Sequence, residues 1–346
     1  MSRQQKNPEK MDRRTFLKYS GMLGVGVAFG GLMPTSECVA FNRRLWKVTR
    51  TRLAMGTFCA ITVMHGSRAE ADDVIGKAFE EMDRVSRLLN RYESDSLVAA
   101  LNGEGLLSHA PREVSEVMGR SFYFHEASGG AFDITVKPLV DLYKAHFDAH
   151  DTPPSEAQVA RVLDLVDARA VQVEGRTIRL AREGMGITLD GIAKGYVIDC
   201  GARVMKEHGI EHALINAGGD IRAIGGRKSN IPWKVAVQDP QKTGPYVDTL
   251  TMTDGAIATS GNYELYFDHD KLYHHIVDPK TGRSPLESTS VTVMTQNAMD
   301  ADALSTSVFV LGPLAGKGFI ETVADTECLI LDSSQQKMIS KGWPSA

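Results

Sequence analysis

Five short stretches of this chain share one grammar: an apolar run closed by glycine together with an acid, a hydroxyl or an amide. They are residues 129–133, 190–195, 216–220, 259–262 and 300–306. Apolar runs of this kind read as strands, and a glycine at the end of one lets another backbone or a ligand come close. Converging strand ends are where folds of mixed helix and sheet place their ligands. The expectation is an α+β chain whose cleft is lined from many parts of the sequence. A large anionic ligand bearing phosphates, gripped with one divalent cation, would account for all five.

The last stretch, Met299-Asp300-Ala301-Asp302-Ala303-Leu304-Ser305-Thr306, runs directly into the apolar Ser307-Val308-Phe309-Val310-Leu311. If it opens a helix, Asp302 and Thr306 stand four residues apart and project from one face, within reach of one small cation. A carboxylate and a hydroxyl without sulfur or imidazole suit Mg²⁺, which takes few protein oxygens and completes its sphere with water and phosphate. An acid before Ser or Thr is also a common N-cap, so the octet alone leaves both readings open.

The first forty residues have another purpose. Met11-Asp12-Arg13-Arg14-Thr15-Phe16-Leu17-Lys18 is a twin-arginine n-region, followed by an apolar, Gly-rich stretch over residues 21–33 and by Cys38-Val39-Ala40, small residues suited to a signal peptidase. Residues 1–40 are therefore assigned as a twin-arginine signal peptide and residues 41–346 as the working domain, destined for the bacterial periplasm. At thirteen residues the apolar stretch is short for a membrane span. An uncleaved signal would still leave the protein associated with the inner membrane. A formal net charge of −4, with no basic or basic–aromatic patch after residue 53, argues against nucleic acid as a partner. Cys59, Cys200 and Cys328 remain after the signal, an odd number without CxxC spacing, so neither a disulfide framework nor a zinc ribbon is expected.

Along the domain, residues 50–65 read as strand and residues 69–90 as a helix, with Val74, Ala78, Met82, Val85 and Leu89 at helical spacing. A second helix is expected over 111–127, ended by Ser128-Gly129-Gly130, and a strand over 131–136. The Ile187-Thr188-Leu189 run reads as a strand entering a helix at Asp190-Gly191-Ile192-Ala193-Lys194, where helix-start amides and Lys194 would attract phosphate. Residues 213–217, 233–238 and 291–296 supply further strands, and residues 273–283 a hairpin closed by Pro279-Lys280-Thr281-Gly282. His275 is the one histidine set between such a strand and its turn. An isolated histidine is more often a packed or capping side chain than a catalyst, but these neighbours make it a candidate general base or phosphate contact.

Taken in order, Met55-Gly56-Thr57, Gly129-Gly130-Ala131-Phe132-Asp133-Ile134-Thr135, Asp190-Gly191-Ile192-Ala193-Lys194-Gly195, Asn216-Ala217-Gly218-Gly219-Asp220, Thr259-Ser260-Gly261, His275-Ile276-Val277-Asp278-Pro279 and residues 302–306 resemble the ApbE family of FAD:protein FMN transferases. The resemblance runs over residues 50–312. It implies a two-lobed single domain with FAD, the substrate, in a cleft between mixed sheet and helices and Mg²⁺ on its pyrophosphate. FMN would pass to a Thr or Ser hydroxyl of a periplasmic or membrane-bound FMN-binding flavoprotein, and AMP would leave. By the same resemblance Met55, Tyr92, Ala131, Phe132, Asp133, Lys194, His275 and Ile276 would line the FAD site, with His275 the base. Asp302 and Thr306 would hold the metal with a backbone carbonyl from Gly191 or, failing that, Ala193. The family often has Ala or Ser where this chain has Gly191. With water as acceptor the same site would make a periplasmic FAD pyrophosphatase; without the metal pair, a non-catalytic flavin-binding protein.

Overall fold

The computed structural model describes residues 39–40 and 45–345, apart from 229–230, 242–243, 245 and 271. In chain order the elements are β1 (Val39–Ala40), β2 (Trp46–Ala54), β3 (Thr57–His65), α1 (Arg68–Leu89), α2 (Leu97–Glu104), β4 (Leu106–Leu107), α3 (Arg112–Ala127), α4 (Lys137–His150) and α5 (Glu156–Leu163). They continue with β5 (Val171–Glu174), β6 (Thr177–Leu180), α6 (Ala193–Glu207), β7 (Ala213–Ala217), β8 (Asp220–Ile224), β9 (Trp233–Val237), β10 (Asp248–Met252) and β11 (Gly255–Gly261). The last are β12 (Ser288–Thr295), α7 (Ala298–Leu311), α8 (Pro313–Ile320), β13 (Glu327–Asp332) and β14 (Lys337–Ile339).

Nine strands form one sheet in the order β1-β2-β3-β7-β8-β11-β12-β13-β14, antiparallel at each pairing. Both faces of its centre are covered. On β3, β7 and β13 the residues Ile61, Val63, Ile215, Cys328 and Ile330 face the main core under α1, α6 and α7. Their neighbours Met64, Leu214, Leu329 and Leu331 face the β9–β10 hairpin and Trp343. This is the period-2 alternation of a strand with apolar residues in both phases, so each face buries its own core. A third cluster joins Leu139, Val140, Tyr143 and Phe147 of α4 to Val159 and Val277. It anchors the 273–283 loop to α4, with Tyr143 Oη donating to the Gly282 carbonyl at 2.9 Å.

The α+β class and the long helices agree with the sequence. α1 starts at the Ser67 cap, which accepts from Glu70 N, and buries Val74, Ala78, Met82, Val85 and Leu89 as one stripe. Several expected strands take other forms. Residues 50–65 are a hairpin, because β2 and β3 pair from Trp46↔His65 to Ala54↔Thr57 and leave only Met55 and Gly56 to reverse the chain. Those two have φ of 51° and 71°, the left-handed pair that matches the twist of a two-residue turn. Residues 131–136 are not a strand: the Asp133 side chain accepts from Thr135 N, and Ile134–Val136 makes a short 3₁₀ turn that feeds α4, whose first turn carries Pro138. Residues 187–189 are buried but join no sheet; Asn102 holds Ile187 through both backbone groups at 2.9 and 2.7 Å. In place of a full hairpin at 273–283, a single bridge joins Tyr266 to His274. The twin-arginine motif lies outside the described residues, among which no helix is long and apolar enough to cross a membrane.

Candidate active site

The eleven residues singled out from the sequence line one cavity of about 720 Å³, walled by the starts of α6 and α7, by the α4 and 273–283 segments and, from the other layer, by Val235 and Val237 of β9. That volume is in the upper half of the range for small-molecule sites. Its floor is the crossing of α6 and α7. Gly195 makes the crossing possible: a Cβ there would lie 2.1 Å from the Ala298 carbonyl oxygen. α7 is then pinned at its first turn from three sides. Asn297 caps it by accepting from Asp300 N at 2.8 Å, and Arg120 grips the Asp300 carboxylate with two bonds of 2.6 and 2.7 Å. From α6, Asp199 accepts from Ala298 N and Met299 N at 3.1 and 2.9 Å and from Arg222 at 3.2 Å. Burial raises the Asp199 carboxyl above its ordinary range, opposed by those two amides and Arg222.

Fixed in this way, α7 presents Asp302 and Thr306 one turn apart to the cavity. Asp302 is buried and accepts from Gly195 N at 3.0 Å; Thr306 Oγ1 lies 3.2 Å from Ser260 Oγ, which also meets Ser305 Oγ at 2.8 Å. Gly191 packs against this pair so closely that a Cβ on it would stand 2.9 Å from Thr306 Oγ1. Alanine there would crowd Thr306, which accounts for glycine at the position. The α6 start itself is less open to anions than its glycines imply. Ala193 N donates back to Leu189 O and Gly195 N is engaged by Asp302. The full positive charge beside it is Lys194, whose Nζ lies 2.9 Å from Asp220 Oδ2; the other Asp220 oxygen accepts from Thr259 N at 3.2 Å.

On the opposite wall, Met55 sits at the tip of the β2–β3 turn, with buried Phe132, Ala131 and Ile276 as apolar lining. His275 stands at the cavity on the loop that α4 supports, its Nδ1 3.4 Å from the Leu265 carbonyl. A carbonyl only accepts, so this contact places the proton on Nδ1 and leaves Nε2 with the lone pair. Asp133 is engaged in holding its own turn. Its carboxylate accepts from Thr135 N at 2.7 Å and Ala168 N at 3.1 Å, and it lies 3.2 Å from His125 Nδ1. Through that hydrogen bond Asp133 raises the His125 imidazole, against the opposing effect of burial. Tyr92, at 67% exposure, stands at the mouth.

Sequence reasoning passed over the residue that organises this mouth. Arg91 has its guanidinium 4.4 Å above the Tyr92 ring and donates to Tyr92 Oη at 2.7 Å. It also binds Asp141 at 2.9 Å and Asp190 at 3.1 Å. Its neighbour Tyr92 was the visible mark, but the partners are 50 and 99 residues away. Asp199 was also missed; a lone acid on the apolar side of α6 was its one trace.

The donor set of Asp302, Thr306, Ser260 and the Gly191 backbone is all oxygen, and it fits a hard cation such as Mg²⁺. Among the described residues no group of three or more His, Cys, Asp or Glu could hold a metal. A cation here would thus rest on one carboxylate, with the remaining positions left to neutral oxygens, water or phosphate.

The model of the ApbE family matches residues 55–330. The FAD:protein FMN transferase of Treponema pallidum is 32% identical over 294 residues, 78% of this chain and 80% of that protein. Among solved structures, the ApbE protein of Thermotoga maritima superposes with a TM-score of 0.78 at 28% identity, covering 85% of this chain and 97% of that one. The flavin transferase ApbE of Vibrio cholerae gives 0.74 at 26%, covering 86% and 98%.

Proposed function

This chain belongs to the ApbE family and is a transferase, and from that premise we propose that it moves FMN from FAD to a Thr or Ser hydroxyl of a partner flavoprotein and releases AMP. The observation that carries the reading is the meeting, in one cavity, of the Asp302/Thr306 pair, the Lys194 cation and the His275 imidazole. Each has a distinct task in phosphoryl transfer, which requires charge neutralisation and in-line positioning more than covalent chemistry.

Met55, Phe132 and Ile276 give the isoalloxazine ring an apolar wall. Lys194, oriented by Asp220, faces the pyrophosphate. Asp302, Thr306 and the Gly191 carbonyl would hold Mg²⁺, which would neutralise phosphate charge as a Lewis acid. The acceptor hydroxyl enters at the mouth, where His275 Nε2 takes its proton. The hydroxyl oxygen bonds to the phosphorus on the FMN side, the bond from that phosphorus to the bridging oxygen breaks, and that oxygen leaves with AMP. The acceptor is a periplasmic or membrane-bound flavoprotein, and this chain itself is exported to the periplasm. Both statements rest on the twin-arginine motif of residues 11–18.

The test incubates the chain without residues 1–40 with FAD, Mg²⁺ and a candidate flavoprotein of the same organism. In-gel flavin fluorescence under denaturing conditions is followed beside AMP release, with Asp302→Ala as control. A fluorescent acceptor band that requires Mg²⁺ and Asp302 is expected. AMP without a labelled protein, over several acceptors, would replace transfer by hydrolysis.

A further inference from the structure

We propose that His146 and His150 form a second metal site, on the outside of the domain, that takes one borderline divalent cation such as Zn²⁺ through two imidazole nitrogens. The two residues are one turn apart near the C-terminal end of α4, and their ring centroids are 4.7 Å apart with the planes inclined at 58°. His146 Nδ1 lies 2.7 Å from the Thr152 carbonyl oxygen. The carbonyl can only accept, so Nδ1 carries the proton and Nε2 carries the lone pair a metal needs. A ligating histidine ordinarily donates its other ring N–H to a carbonyl or carboxylate in this way, which fixes tautomer and ring orientation in advance.

The surroundings hold that arrangement. Asp151 ends the helix with φ 52° and its N–H returns to Phe147 O at 2.9 Å, bringing Thr152 back over the last turn. Pro153 and Pro154 follow directly, so the backbone that presents the Thr152 carbonyl is stiff. Phe147, between the two histidines, is buried against Tyr273 at 5.2 Å and anchors the turn from within. The nearby Lys144 ammonium is paired with Asp148 at 2.6 Å, which lowers its repulsion of a cation. No third histidine, cysteine or carboxylate completes a cluster among the described residues. With two protein nitrogens, the bound ion fills its remaining positions with water. Nitrogen donors separate this site from the all-oxygen set at Asp302 and Thr306, so Mg²⁺ does not compete for it.

The experiment titrates ZnCl₂ calorimetrically into the tag-free full-length chain, with Mg²⁺ in excess, and repeats it with His146→Gln and His150→Gln. His208→Gln, at an exposed histidine that caps the C-terminal end of α6, is the control. One equivalent of Zn²⁺ is expected to bind, each of the first two variants to weaken it at least about tenfold, and the control to leave it unchanged. The Tm of the parent should rise with Zn²⁺ and that of the two variants should not, while the metal-free Tm of all four proteins agrees. Long-range ¹H–¹⁵N spectra should show Zn²⁺ shifting Nε2 of His146 and leaving its Nδ1 protonated. Absence of saturable binding to the parent, or an affinity in both variants equal to the parent's, would overturn the assignment.

Discussion

Replacing Gly195 by alanine tests whether the α6–α7 crossing sets both the stability of the domain and the placement of Asp302. The added Cβ would lie 2.1 Å from the Ala298 carbonyl oxygen and 2.7 Å from Met299 N, both backbone atoms that no rotamer change can move. Non-bonded heavy atoms settle near 3.5 Å, so α7 must retreat from α6 by roughly 1 Å. Overpacking of this kind costs about 1–3 kcal/mol. The same retreat stretches the Gly195 N–H bond to the Asp302 carboxylate, a bond to a charged group worth about 1.5–3 kcal/mol. A net loss near 3 kcal/mol is expected from urea unfolding followed by circular dichroism. Because Asp302 and Thr306 ride on α7 while Gly191 and Lys194 do not, the retreat also opens the site, and a displacement of this size lowers transfer by about 10²-fold. Gly76→Ala on α1 is the matched control, since no atom lies within 4 Å of its new Cβ; it should gain about 0.5–1 kcal/mol and keep full activity. The reasoning fails if Gly195→Ala unfolds within 0.5 kcal/mol of the parent and still transfers FMN.

Asp302→Asn should retain the fold and lose about 10²-fold or more in FMN transfer, with the Mg²⁺ dependence of the rate flattened in a metal titration. Asp220→Asn removes the partner of Lys194; stability should fall by less than the roughly 3–5 kcal/mol of a fully buried pair, because the ammonium is partly exposed. Its KM for FAD should rise more than its kcat falls. His275→Gln should reduce kcat by about 10²–10⁴ while FAD binding persists. His274 offers a test of stability against pH. Burial pushes its imidazole down to about 4, whereas the unfolded residue titrates near 6.5. Its contribution is complete above pH ~6.5 and is lost as pH falls from there through about 4, a total near 3 kcal/mol. His274→Leu should show a shallower fall in urea stability over that window; an unchanged slope would dismiss the assignment.

What could be read from the sequence was whatever depends on near neighbours. The α1 stripe, the end of α3 at Ser128-Gly129-Gly130 and the Asp302/Thr306 spacing are all settled within a few turns of helix. Strand status was harder, since an apolar run becomes a strand only if a distant segment pairs with it. Residues 187–189 are as apolar as β7, yet Asn102 takes their backbone groups, and Asp133 diverts 131–136 into a turn through its own side chain. The site showed the same division. Residues in the glycine-bearing segments carried recognisable local patterns, while Asp199 and Arg91, which act through partners about a hundred positions away, carried almost none.

The cavity draws its lining from residue 55 to residue 310, and central β3 and β7 are joined only after some 150 intervening residues have been placed. A chain of such high contact order has no partial version of its pocket. Flavin capture therefore reports completion of folding: ligand at a hundred times its Kd would add about 2.7 kcal/mol to global stability, and none to any fragment. The molecule could be loaded with flavin, and thereby protected from proteolysis, only after its last helix has docked.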